Sequence, residues 1–559
     1  MFTGLDDTSR WVLPAVLDEM ARTKPAQTWI STTDGDEADF GAMADDVRRM
    51  AGHFARLGVQ RGECVAVWMH GGLDFVRVWL GLGRLGAIAV LLNTELRGTF
   101  LAHQLNDSGA ALAVVDASLQ PALAEVESSL TRLRRLIVAG QGGDALAGST
   151  SLDWQDWRST APWDGPMPQP HDTACIMYTS GTSGPSKGVL MPHAHCTLYG
   201  VGTIECLRLR PDDKYYITLP LFHANGLLMQ LGATLLAGIP AVLRQRFSAS
   251  EWLSDLRGSG ATVTNLLGAT AAFVIARPPS DEDRHHRLRA ALIAPNLAVH
   301  ETAFRERFGV GDVMSGFGMT EVNIPIWGRL GQPAPDAAGW VHRQHFDVVI
   351  ADPQTDAPVP PGELGEILVR PKVPFGFMAG YHGQPEKTVE AWRNLWFHTG
   401  DAGTMTADGL VTFVDRIKDC IRRRGENISA AEVERAVGSL PGVVEVAAYA
   451  VPSDLPGGED ELMLALVFAP GHEATLASIG EQADALLPRF AKPRFLRRMD
   501  ELPRRPPARF SGPRSRMREH VPHSTERLLR TAGNGGCAAR WPAGACASAS
   551  AKARTRAAG

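Results

Sequence analysis

The sequence predicts an α/β large N-terminal domain, built of mostly parallel sheets with helices plus a β-rich subdomain, followed by a small α+β C-terminal domain. Three observations carry that expectation. Short apolar runs alternate with helical periodicity through roughly the first 150 residues. From about residue 345 the texture changes to shorter, alternating strands bounded by turn signals. At 559 residues the chain is too long for one ordinary core.

The elements follow in order. ECVAVWM (63–69), AIAVLLN (87–93) and ALAVVD (111–116) read as buried strands, and VRVWLGLGRLG (76–86) and TFLAHQLNDSG (99–109) between them as helices ending at Gly. Such alternation argues for a parallel sheet covered on both faces. It resumes at ACIMYTS, ATVTNLLG and AALIAP. The apolar run from Tyr215 to Leu243 is long enough for a membrane span, but it carries His223, Asn225, Gln230 and Pro240, which favours a buried segment of a large core. FDVVIADPQT, GEILVR and GLVTFVDR supply the β-rich part, with a hairpin turn expected at ADGL (407–410). After Asp415 a helix, AAEVERAVGSL, and a strand pair, VEVAAYAVP and ELMLALVFAP, mark the smaller unit. The expected boundaries are 1–415 for the large domain and 416–503 for a small, mobile one. Residues 504–559, rich in Arg, Ala, Gly, Ser and Pro without a period, are expected to be a disordered tail.

Composition narrows the function. Hydrophobic residues are 44% and charged residues 21%, and Lys+Arg 56 against Asp+Glu 61 leaves a net charge of −5, so no nucleic-acid footprint is present. The 7 Cys are scattered without a CxxC pair, which speaks against a zinc ribbon and fits a reducing, cytoplasmic setting. The start MFTGLDDTSRW lacks the apolar core of a signal peptide.

YTSGTSGPSKGV (178–189) is the most unusual stretch. It leaves a strand and precedes MPHAHCTLYGV, expected to be helical. A Gly/Ser/Thr loop in that place can wrap backbone N–H groups around an anion, with Lys187 adding a point charge. A linker and an ordinary surface loop are the competing readings. A Walker A loop is not, because Ser186 stands before Lys187 and Gly188 after it.

TSGTSGPSKG closely resembles the signature phosphate loop of adenylate-forming enzymes, a superfamily that includes acyl-CoA synthetases, peptide-synthetase adenylation domains and luciferases. The resemblance spans roughly residues 30 to 503, with several signatures in the family's order. It implies that Thr179, Ser180, Gly181, Thr182, Ser183, Gly184, Lys187 and Gly188 hold the phosphates of ATP. GFGMTE (316–321) is similar to the motif in which an aromatic residue flanks adenine, a Thr touches phosphate and a Glu holds Mg²⁺; these fall on Phe317, with Gly318 beside it, Thr320 and Glu321. HTGD (398–401) implies that Asp401 binds the ribose hydroxyls. VDRIKD (414–419) implies a nucleotide contact from Arg416 and a hinge at Lys418, and RRGENIS (423–429) a pantetheine tunnel lined at Gly425. Arg422 to Arg424 read either as a solvated basic turn or as a clamp for the phosphates of coenzyme A. LFHANG (221–226) resembles the segment whose His, here His223, gates the acyl pocket; a satisfied core histidine is the other reading.

Two departures stand out. The adenine segment reads ALIAPNLAV (291–299), and with PPSDEDRHHRLRAALIAPNL and the RFGV that follows it looks like the carnitine/crotonobetaine-CoA ligase branch. The family closes its small domain with a Lys that bridges carboxylate and α-phosphate. KPRFLRRMDELPR (492–504) matches the lead-in, but RPPARFSGPRSR follows and Arg509 stands nearest the expected place. Arg is larger and planar, so the exchange is not conservative. A shifted reading frame is one expectation for this tail.

The resemblance thus implies an acid–thiol ligase using ATP, Mg²⁺ and coenzyme A on a small or medium carboxylic acid, with a homodimer left open. The alternatives are a nucleotide-binding homologue impaired by the missing Lys, or an adenylation domain serving a carrier protein.

Overall fold

The structure is a computed structural model that describes residues 1–140, 150–179, 185–416, 421–423, 426–453, 459–469, 472, 475–499, 502 and 526–527. Among these, three large sheets make up the first domain. One runs in the order Gly380–Tyr381, Lys187–Pro192, Thr173–Thr179, Ile88–Leu91, Cys64–Trp68, Leu112–Asp116, Arg135–Ala139, Thr150–Leu152. Its strands are parallel except around Lys187–Pro192, which is antiparallel to both neighbours. A second sheet is parallel through Asp312–Met314, Ala290–Ala294, Val263–Leu267, Tyr215–Ile217, Ala241–Leu243 and Thr28–Thr32, and closes on the antiparallel edge Glu37–Asp39. Buried on both faces, the central strands of these two sheets are the short apolar runs the sequence displays.

The helix Leu73–Leu85 ends at Gly86, whose φ of 81° is the left-handed conformation that stops a helix at low cost. Helix His193–Leu207 is apolar nearly all round, and only Glu205 and Cys206 in it are not buried. It is a central helix of the core rather than an amphipathic cover. The run from Tyr215 to Leu243 is also core: two strands flank a π-helical turn Asn225–Gly232 and the short helix Ala233–Ala237. Among the described residues no helix is long and apolar enough to cross a membrane.

The third sheet is wholly antiparallel: Gly316–Met319, Asn323–Trp327, Gly339–Val341, Leu410–Arg416, Phe397–Met405, Gly365–Pro371, Phe346–Ala351. This is the β-rich subdomain. The small unit pairs Val443–Val451 with Glu461–Phe468, adds Phe495–Arg498, and packs helices Ala430–Gly438 and Leu476–Leu486 beside them. The backbone of Glu526–Arg527 pairs with Phe495 and Leu496. Leu101, Leu105 and Leu123 of the large unit share one apolar cluster with Val433, Leu464 and Leu496 of the small one.

The helix expected over MPHAHCTLYGV (191–201) is present as His193–Leu207, beginning two residues later than the expected segment. Lys187–Pro192 is a strand, so the loop is the tip of a hairpin, with Thr179 opposite Lys187. Three apolar residues, Val189, Leu190 and Met191, paired back onto Thr173–Thr179, explain the strand.

Candidate active site

The hairpin brings Thr179 and Lys187 side by side at the base of the loop. Residues 180–184, including Ser180, Gly181, Thr182, Ser183 and Gly184, lie outside the described residues. The far foot of the loop is anchored on three sides. Ser186 is buried; its carbonyl faces His103 Nε2 at 2.8 Å and its hydroxyl accepts from Gln104 at 3.2 Å. Its amide donates to Glu432 of the small unit at 2.9 Å. Burial raises the pKa of Glu432 above the usual carboxylate range. Gly188 has no room for a side chain, since a Cβ would stand 2.9 Å from Ile176 Cγ2.

Glu321 reaches this base from the third sheet. Its Oε1 accepts from the Thr179 hydroxyl at 3.1 Å and from the Tyr381 hydroxyl at 3.0 Å. Its Oε2 is buried with no hydrogen-bond partner. A carboxylate fixed through one oxygen and uncompensated at the other is a donor of the kind a hard divalent cation takes. Tyr381 lies on the edge strand beside Val189 and presents its ring face to Lys187, with Nζ 3.9 Å from the ring centroid. Burial, then the Glu321 carboxylate, raises the Tyr381 pKa well above its ordinary value, so the phenol stays a donor.

The central helix holds the 316–321 hairpin from behind. The Tyr199 hydroxyl donates to Met319 O at 3.0 Å. Both ring nitrogens of His195 face carbonyls, Gly376 O at 2.7 Å and Thr320 O at 2.9 Å, while Asn323 donates to the carbonyl of His195 at 3.0 Å. Gly318 is pressed against Asn323, so a Cβ there would stand 2.2 Å from a carbonyl oxygen. Phe317 stacks on Phe413 of the neighbouring strand, with ring centroids 6.0 Å apart. Asp401 is buried and stands opposite Arg416 in the strand pairing. The Arg416 side chain, and all of Lys418, Gly425 and Arg509, lie outside what the structure describes.

His223 meets the small unit. Its Nε2 is 2.8 Å from Glu426 Oε1, which also accepts from Asn93 Nδ2 at 3.1 Å. A cleft runs between the two units here, lined by Asn93, Gln104, Tyr178, Phe222, His223 and Glu426. His223 is therefore hydrogen-bonded at the cleft rather than within the core. Of Arg422 to Arg424, the Arg422 side chain and all of Arg424 lie outside the described residues, and Arg423 is not part of a solvated basic turn. It is buried, its Nε donates to Glu461 at 2.5 Å, and its Nη1 donates to the carbonyl of Lys492 at 2.6 Å. It is a structural strut within the small unit.

The sequence motifs thus bring together Thr179, Lys187, Glu321 and the 316–321 hairpin. Tyr381, His195, Tyr199, Glu426 and Glu432 were missed. Glu426 stands inside RRGENIS, next to Gly425, and is legible there; Tyr381 carries no local signal.

The model of the AMP-binding enzyme family matches residues 17–382, and that of the AMP-binding enzyme C-terminal domain matches 432–508. The crotonobetaine/carnitine–CoA ligase of Salmonella paratyphi B is 31% identical over 474 residues, covering 83% of this chain and 90% of its own. An anthranilate CoA ligase in complex with anthranoyl-AMP shares 26% identity and a TM-score of 0.66, over 88% of this chain and 94% of that one. The o-succinylbenzoate CoA synthetase of Bacillus subtilis, bound with a product analogue, has the same fold, with a TM-score of 0.75 at 24% identity over 89% of this chain and 96% of that one. Fold and relatives define an AMP-forming acid–thiol ligase, for which ATP and coenzyme A are substrates. More particularly, the chain belongs to the AMP-binding enzyme family, as an acyl-CoA synthetase of the carnitine ligase-like branch.

Proposed function

We propose that this protein activates a small carboxylic acid, with carnitine-like acids the first to test, and passes the acyl group to coenzyme A. The observation that carries this reading is the convergence of the Thr179 and Tyr381 hydroxyls on Glu321 at the base of the loop, with Lys187 against the Tyr381 ring. In the first step a carboxylate oxygen attacks the α-phosphorus of ATP and pyrophosphate leaves. Thr179, the loop 180–184, Lys187 and Gly188 hold the departing phosphates, and Thr320 contacts the reacting one. Phe317 and Gly318 flank adenine, while Asp401 and Arg416 hold the ribose. Glu321 holds Mg²⁺, which supplies charge neutralisation to the phosphates. In the second step the sulfur of coenzyme A attacks the acyl carbon and AMP leaves. The thiol approaches through the cleft beside His223, with Lys418 as hinge and Gly425 against the pantetheine arm. The protein works in the cytoplasm.

A second reading has its own observation. No Lys occurs between Lys492 and Lys552, so the ammonium expected near Arg509 is missing. Loss of one such cation slows adenylation by roughly 10²–10³. Pyrophosphate release and thioester formation across short, medium and carnitine-like acids test the first reading. MgATP binding with no turnover on any acid would leave the impaired form. Ready-made acyl-adenylate plus coenzyme A isolates the second step: in the impaired form thioester formation suffers less than adenylation, and equal loss in both half-reactions would contradict that reading.

A further inference from the structure

Away from the loop and the cleft, the central helix carries a further polar cluster. Glu205, in its last turn, faces a bend between strands Gly339–Val341 and Phe346–Ala351. His342 and His345 come from that bend. Glu205 Oε2 is 3.0 Å from His342 Nε2 and 2.8 Å from His345 Nε2, and the three donor atoms lie within 4.8 Å of one another. The imidazole planes are perpendicular, with centroids 4.7 Å apart. Gln344 donates to the other oxygen of Glu205 at 3.3 Å, which aims Oε2 at the two rings.

We propose that Glu205, His342 and His345 form a binding site for a late first-row divalent cation, zinc above all. Two neutral imidazoles and one carboxylate suit zinc, whereas magnesium and calcium prefer oxygen alone. At metal–ligand distances of about 2.0–2.1 Å, donor atoms in a tetrahedron stand about 3.4 Å apart, so the carboxylate retreats by a few tenths of an ångström on binding. Water completes the sphere, because the Glu205 side chain is 28% exposed. His342 Nδ1 is buried with no hydrogen-bond partner, so that ring lacks the outer-shell hydrogen bond that strengthens zinc ligands. The ion ties the central helix, which holds the 316–321 hairpin, to the β-rich subdomain.

The test is a Co²⁺ titration of the chelator-treated full chain in excess Mg²⁺, read by visible d–d absorption, together with thermal unfolding with and without Zn²⁺. One saturable equivalent and a metal-dependent rise in melting temperature are expected. H342N, which keeps a polar side chain in the bend, and E205Q should each lose both signals while melting like the wild type in chelator. Absence of a saturable band in the wild type overturns the proposal. So does an unchanged titration in both variants, or a sulfur-to-cobalt charge-transfer band assigning the metal to cysteine.

Discussion

The Nζ of Lys187 sits 3.9 Å from the centroid of the Tyr381 ring, and the hydroxyl of that ring donates to Glu321 at 3.0 Å. One aromatic side chain therefore spaces the ammonium of Lys187 from the carboxylate of Glu321. Replacing Tyr381 by Phe keeps the ring and deletes the donor. A hydrogen bond to a charged group is worth about 1.5–3 kcal/mol, so kcat/KM for pyrophosphate release should fall by about tenfold to a hundredfold. Tyr381→Leu should fall further, since a cation–π contact adds about 0.5–2 kcal/mol. Steady-state pyrophosphate assays on both variants check this, and wild-type rates in Tyr381→Phe would contradict it.

The turn at Gly318 admits no side chain. A Cβ would lie 2.2 Å from Asn323 O and 2.9 Å from Ile324 Cα, both backbone atoms. Asn323 is itself in the left-handed region, with φ 67°, so the opposing strand has little freedom to retreat. Gly318→Ala should cost roughly 1–3 kcal/mol, as overpacking does, and displace Thr320 and Glu321. A lowered urea midpoint with loss of turnover is the expected result; a midpoint like that of the wild type would mean the hairpin yields.

How far the chain could be read without coordinates follows from the range of each contact. Buried parallel strands announce themselves because every residue is apolar, so 63–69, 87–93 and 111–116 were legible, as was the helix stop at Gly86. The strand Lys187–Pro192 was not, because its apolar residues could equally open the helix that follows. Tyr381 was invisible for a different reason. It meets Glu321 across 60 residues of sequence, from a strand of two residues, Gly380–Tyr381, too short to leave a pattern. Arg423 looked solvated because its neighbours are basic. Glu461, 38 residues on, is what buries it.

Arg423 gives the third prediction. Removing one member of a buried ion pair strands the other, at a cost of about 3–5 kcal/mol. Arg494 also reaches Glu461, at 2.9 Å, and tempers the loss. Arg423→Met should destabilise the small unit by roughly 3 kcal/mol, and adding Glu461→Leu should recover much of it. Denaturant unfolding of the two variants decides the matter: equal midpoints for single and double variants would show that the pair is not coupled.

The link between His223 and Glu426 makes the docking of the small unit pH-dependent. Burial works against charging the ring, but the Glu426 carboxylate, through its charge and its hydrogen bond, raises the His223 pKa above the ordinary imidazole value. A raised folded-state pKa contributes stability that is fully present below the unfolded value of about 6.5 and is lost as pH rises through the folded value. The His223 side chain is 39% exposed, so solvent screens the pair and the effect is small. Glu426→Gln keeps an acceptor and removes the charge. The gap in melting temperature between wild type and this variant should therefore be widest near about pH 6 and close by about pH 9. A gap that is constant across that window, or that grows with pH, would mean the contact is held by the hydrogen bond alone and carries no charge term.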